Sequence, residues 1–116
     1  MTVASPDRLA ERIAAVASDR KARDIRVLDV ASLVGYTDYF LICSGGTERQ
    51  TKAIHDAIHE ALKGDGVYPA RTEGAREARW ILMDYGDCVV HIFTPEARAF
   101  YRLEQLWGEA PAHSVS

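Results

Sequence analysis

The chain has few cysteines, no excess of basic charge and no long apolar run. It holds two cysteines, Cys43 and Cys88, in 116 residues. Both lie inside apolar stretches, which suits small buried thiols in a reducing compartment better than a disulfide framework. Lys and Arg number 14 against 17 Asp and Glu, a formal net charge of −3. Binding nucleic acid through a broad surface requires clustered Lys and Arg to neutralise phosphates, so extensive direct nucleic-acid binding is not expected. A mildly acidic surface suits a basic protein partner instead. No apolar run approaches the ~20 residues of a membrane helix. No basic segment with an apolar core follows Met1, so no secretory leader is read and the chain is expected in the cytoplasm. There is no repeat, no low-complexity segment, and no G-x-x-x-x-G-K-[ST], G-x-G-x-x-G or G-x-S-x-G motif.

What is present has an ordinary globular balance, 47% hydrophobic and 27% charged, enough for one core without metal or disulfide staples. Ser5-Pro6-Asp7 reads as a helix start, and Leu9, Ile13 and Val16 then recur at helical spacing. Ile25 to Val30 is β-rich. Tyr39 to Ser44 is a continuous apolar run, as in a strand covered on both faces. Thr47 with Gln50 forms a capping box for a helix striped by Ile54, Ile58 and Leu62, which Gly64 and Gly66 stop. Val67 to Arg79 predicts a short strand and a loop. Trp80 to Met83 and Cys88 to Phe93 predict a hairpin around Asp84-Tyr85-Gly86-Asp87. Thr94-Pro95-Glu96 starts a last helix, with Phe100, Leu103 and Trp107 at helical spacing. The fold class is α/β: a mixed sheet of about five strands with helices packed on it. Residues 1–111 are expected to form a single domain, and residues 112–116 a flexible tail.

Gly45-Gly46-Thr47 joins a buried strand to a helix N-terminus, where free N–H groups can hold an anion. The plain reading is a tight turn into a capped helix. A nucleotidyltransferase-like enzyme would also need paired carboxylates for metal ions, and only Asp84 and Asp87, flanking a turn, are on offer. His55 and His59 stand one helical turn apart, as in H-E-x-x-H, but Asp56 replaces the glutamate and no third ligand is evident. A solvated helix face is the default there. His91, in mid-strand, reads as a core or surface histidine rather than a general base. No catalytic set, metal site or cofactor site is assigned.

The last third is different. Trp80, Tyr85, Phe93, Phe100, Tyr101 and Trp107 place six of ten aromatics within 28 residues. Strand alternation puts Trp80, Leu82 and Asp84 on one face, Ile81 and Met83 on the other. A face carrying Trp and Asp together is partly wet. Trp80, Asp84 and Glu73, with Tyr85 and Asp87 from the turn, form the candidate partner-binding set.

Several blocks then combine: Thr37-Asp38-Tyr39-Phe40, Ser44-Gly45, Arg49-Gln50, Glu73-Gly74, the run from Trp80 to Phe93, Arg98-Ala99-Phe100-Tyr101, and Leu103-Glu104-Gln105-Leu106-Trp107. In this order and spacing, over roughly Ile25 to Pro111, the chain resembles the ribosomal silencing factor family, also called the Iojap-related family. Cys88 stands where the family more usually has an aliphatic residue, and the His55/His59 pair is outside its pattern. The resemblance implies a nucleotidyltransferase-like fold without the catalytic carboxylates. It implies binding to the large ribosomal subunit at ribosomal protein fourteen, which obstructs small-subunit joining and represses translation when nutrients are short. It also implies homodimers of the free protein. Organelle relatives act in large-subunit assembly, which makes an assembly factor the first alternative and a nucleotidyltransferase-like enzyme the second. Whether Arg49, Gln50 and Arg98 touch the partner or support the fold is left open by the sequence.

Overall fold

The first helix, α1, spans Pro6–Asp19 and buries Leu9, Ala10, Ile13, Ala14 and Ala17, the stripe its spacing predicts. A computed structural model describes residues 6–101 and 112–115 of the chain. The expected cap at Ser5 and the positions Leu103 and Trp107 lie outside the described residues. Lys21, in the left-handed region (φ 65°), ends α1, with Ala22 N–H donating to Ala17 O at 3.0 Å.

Strand β1 (Arg23–Asp29) pairs antiparallel with β2 (Tyr39–Ser44), with an irregularity between Arg23 and Arg26. Helix α2 (Glu48–Gly64) follows. Thr47 Oγ1 accepts from Gln50 N–H at 3.1 Å, as the capping box requires. The return bond is shifted by one residue: Gln50 Oε1 accepts from Gly46 N–H at 2.8 Å. Gln50 Nε2 also donates to Lys21 O at 3.1 Å, so this residue ties the end of α1 to the start of α2. Gly64 stays helical. Gly66 (φ 79°) makes the stop, with Val67 N–H donating to Leu62 O at 2.8 Å.

Strands β3 (Arg71–Glu73), β4 (Trp80–Asp84) and β5 (Cys88–Phe93) come next, then α3 (Pro95–Tyr101) and β6 (Ala112–Val115). The sheet order is β3-β4-β5-β2-β1-β6. β2 and β5 run parallel in the middle and every other pair is antiparallel. Among the described residues the mixed sheet thus has six strands, one more than expected. The extra one is a correction: Ala112–Val115 pair with Leu28 to Ile25 of β1 and are not a frayed tail. Four short residues carry little strand signal, and the free edge of β1 that orders them is distant in sequence.

Register sorts side chains onto two faces. One face, with Leu41, Cys43, Ile81, Met83, Val90 and Ile92, packs under α1 and α2 in the larger core. The other holds Leu28, Phe40, Ile42, Val89 and Phe93, joined by Ala97 of α3. Full burial of such side chains contributes roughly 2 kcal/mol each against an exposed reference. Trp80 and Leu82, only half-buried, lie at the margin of this second cluster.

Candidate docking face

The loop before β4 sets where Trp80 sits. Gly74 has φ 79°, and a Cβ there would lie 2.0 Å from Trp80 O. Ala78 N–H donates to Gly74 O at 2.9 Å. The hydroxyl of Thr51, fully buried on α2, bonds to Ala78 O. Thr94 N–H donates to Arg79 O at 2.9 Å. The loop is therefore held from both the helical and the strand side.

The indole of Trp80 stacks on Phe93, with ring centroids 5.3 Å apart and planes at 23°. Its Nε1–H donates to His91 Nδ1 at 3.1 Å. His91 is buried, with Phe40 edge-on at 5.2 Å. An indole N–H can only donate, so Nδ1 is the bare nitrogen and Nε2 carries the proton. Burial pushes His91 down from the usual 6.5 to about 4, which keeps it neutral at pH 7. A histidine depressed in the folded state binds its proton in the unfolded chain first. Its contribution to stability is complete above about pH 6.5 and is lost as pH falls toward 4. Urea midpoints across that window are expected to fall with pH in the wild type and to flatten in His91→Phe. A wild-type curve no steeper than that of the variant would remove His91 as the source.

Glu73 lies opposite Leu82, and Arg71 opposite Asp84, so all four share the face of Trp80. Arg71 bridges the exposed Glu73 at 3.1 Å and the half-buried Asp84 at 3.8 Å, and with Arg71 itself in solvent both pairs have small energetic weight. Asp84 Oδ1 also accepts from Gly86 N–H at 2.9 Å, bracing its own turn. Trp80 and Asp84 stand at opposite ends of β4, about 13 Å apart at strand rise. The result is a strip along the sheet margin, aromatic at one end and acidic at the other.

The expected set divides here. Trp80, Asp84 and Glu73 are on this strip. Tyr85 is not: its ring packs against the larger core on the opposite face, its buried hydroxyl has no partner among the described residues, and burial pushes it up to about 12. Asp87 is exposed in the turn, and its carbonyl accepts from Tyr39 N–H at 3.0 Å. His91 joins the strip from beneath, a residue the sequence reading did not select.

At the Gly45-Gly46 turn, Gly45 N–H is taken by Phe93 O at 2.9 Å and Gly46 N–H by Gln50, so the tight-turn reading describes it. A Cβ on Gly45 would lie 2.7 Å from Thr51 N, the close approach that requires glycine. Arg98 is buried and donates to Ser44 Oγ at 2.9 Å; with Gln50 it supports the fold, while Arg49 is exposed. His55 and His59 stack at 6.2 Å, and His55 Nδ1 lies 2.8 Å from Asp56 Oδ1. His55 has only 12% of its side chain exposed, so it is not on a fully solvated face. Among the described residues, no three His, Cys, Asp or Glu side chains converge as a metal set would. Cys43 and Cys88 are free, and burial pushes both thiols up to about 12, which leaves them unreactive. No helix among the described residues is long and apolar enough to cross a membrane.

Fold and site together define a small mixed α/β domain with an aromatic-acidic strip along one sheet margin. The sequence model of the family described as ribosomal silencing factor during starvation matches residues 3–116. The chain is 44% identical to a ribosomal silencing factor of Bacillus subtilis over 98 residues, 84% of this chain and 83% of that one. It is 37% identical to a mouse protein named for mitochondrial assembly of the ribosomal large subunit, covering 74% of this chain and 39% of the mouse one. A crystal structure of a Chromobacterium violaceum protein superposes with a TM-score of 0.88 at 31% identity, covering 90% of this chain and 88% of that one. The chain belongs to the ribosomal silencing factor family.

Proposed function

We propose that this chain represses translation by occupying the large ribosomal subunit at ribosomal protein fourteen, where its bulk obstructs the small subunit. Membership of the silencing-factor family, with the match running over residues 3–116, is the observation that carries the reading. The action is docking, without a catalytic step. A net charge of −3 and an acidic end to the docking strip suit a basic ribosomal protein. Trp80, Asp84 and Glu73 make the contact, with Asp87 at its border. The free chain pairs with itself as a homodimer, and it works in the cytoplasm where ribosomes are.

Purified large subunits and the full chain are sedimented together, then small subunits are added. The chain is expected to travel with large subunits and to lower the yield of joined ribosomes in a dose-dependent way. Co-sedimentation with unchanged joining would reject silencing. An assembly role is the second reading, supported by the name of the mouse relative. It requires that cells lacking the chain accumulate immature large subunits, whereas silencing requires mature ones. Calorimetry with nucleotide and magnesium addresses an enzyme: tight magnesium-dependent binding would favour it over docking.

A further inference from the structure

His91 occupies a place where an apolar side chain would fit. Its neighbours in the cross-strand row are Leu82 and Ile42, and the flanking positions Val90 and Ile92 are fully buried. His91 itself is only 5% exposed, and its Nε2 has no acceptor among the described residues. A buried N–H without a partner lowers stability, so its presence in a core calls for a specific reason. The bond from Trp80 Nε1–H to His91 Nδ1, at 3.1 Å, supplies one. The two rings lie 6.0 Å apart and Phe93 stacks under the indole at 5.3 Å. Stacking alone leaves a ring free to flip or slide in its plane. A directional bond to a buried acceptor removes that freedom.

We infer that His91 is the positioning residue of the docking face: by accepting the Trp80 indole N–H it fixes the ring for the partner and withdraws the ring's one donor from the interface. The inference rests on Trp80 being a contact residue. It also specifies the partner's chemistry at that point. The partner meets the indole through aliphatic groups or a cationic side chain, not through a hydrogen-bond acceptor. Fixing a side chain before binding spares its ordering on association, and for one tryptophan that corresponds to roughly three- to tenfold in affinity. Neutrality of the imidazole at pH 7, which burial enforces, keeps Nδ1 available as acceptor.

The test uses the full chain and two acceptor-free variants, His91→Phe and His91→Leu, with His91→Gln as the variant that restores an acceptor. The Trp80 indole N–H resonance, identified through Trp107→Phe, reports hydrogen exchange. Unfolding midpoints report stability, and co-sedimentation reports affinity for large subunits. At least one acceptor-free variant is expected to be no less stable than wild type, to lose indole N–H protection, and to bind roughly three- to tenfold more weakly. His91→Gln is expected to recover protection and binding together. If both acceptor-free variants fail to fold, the imidazole is a stability element and the inference is overturned. Binding at the wild-type level with the N–H released overturns it too. Trp80→Ala in the same assay separates the two readings. If it binds like wild type, the contact assignment itself is wrong. If it loses binding while the acceptor-free variants do not, only the positioning role is wrong.

Discussion

Gly74→Ala is expected to lose on the order of 3 kcal/mol of folding stability, combining left-handed backbone strain with overpacking. At φ 79° the substitution is strained before any neighbour is considered. The new Cβ would also lie 2.0 Å from Trp80 O and 3.1 Å from its carbonyl carbon. A backbone carbonyl cannot rotate away as a flexible side chain can. This loop is moreover held by Ala78 N–H on Gly74 O, Thr51 on Ala78 O, and Thr94 N–H on Arg79 O. Relief therefore displaces either the loop or the first residue of β4, which is Trp80. Gly86→Ala is the matched control. Its φ is 85°, yet nothing lies within 4 Å of its Cβ, so only about 1 kcal/mol of conformational cost is expected. Urea unfolding of both variants, with slopes checked against wild type, reads the difference. Equal losses in the two would show that the close approach at Gly74 is absent in solution.

Gly74 also marks how far the sequence could be read. Glycine in a charged loop gives notice of a turn, but not that a carbonyl from β4 lies against it. Local signals worked where the cause was local. Thr47 and Gln50 announce the start of α2, and the continuous run Tyr39 to Ser44 matches β2 residue for residue. Alternation along β4 correctly separated Trp80, Leu82 and Asp84 from Ile81 and Met83. Continued by one residue, the same parity places Tyr85 with Ile81 and Met83, so its exclusion from the strip was already available. β5 offered no such help. All six of its residues are buried, and His91 finds its face only through pairing with Leu82 and Ile42. β6 was illegible for a related reason: the edge of β1 decides it, across more than eighty positions of chain.

Trp80→Ala is expected to weaken large-subunit binding by about 2 kcal/mol or more, roughly thirtyfold, as a central aromatic anchor does. The half-buried ring stacks on Phe93, so some folding stability goes with it, and binding is compared only among variants shown to be folded. Asp84→Lys is expected to weaken binding through charge reversal before a basic partner. This variant alone is ambiguous, because Asp84 Oδ1 also accepts Gly86 N–H at 2.9 Å and the lysine cannot. Asp84→Asn removes the charge and keeps an acceptor for the turn. Glu73→Lys reverses a charge whose side chain is 59% exposed and which braces no turn. If charge acts, Asp84→Asn and Glu73→Lys weaken binding, and the losses shrink as salt screens the approach. If the turn acts, Asp84→Asn binds like wild type and only Asp84→Lys fails. Folded Trp80→Ala and Glu73→Lys chains that both sediment like wild type would move the docking face away from β3 and β4 altogether.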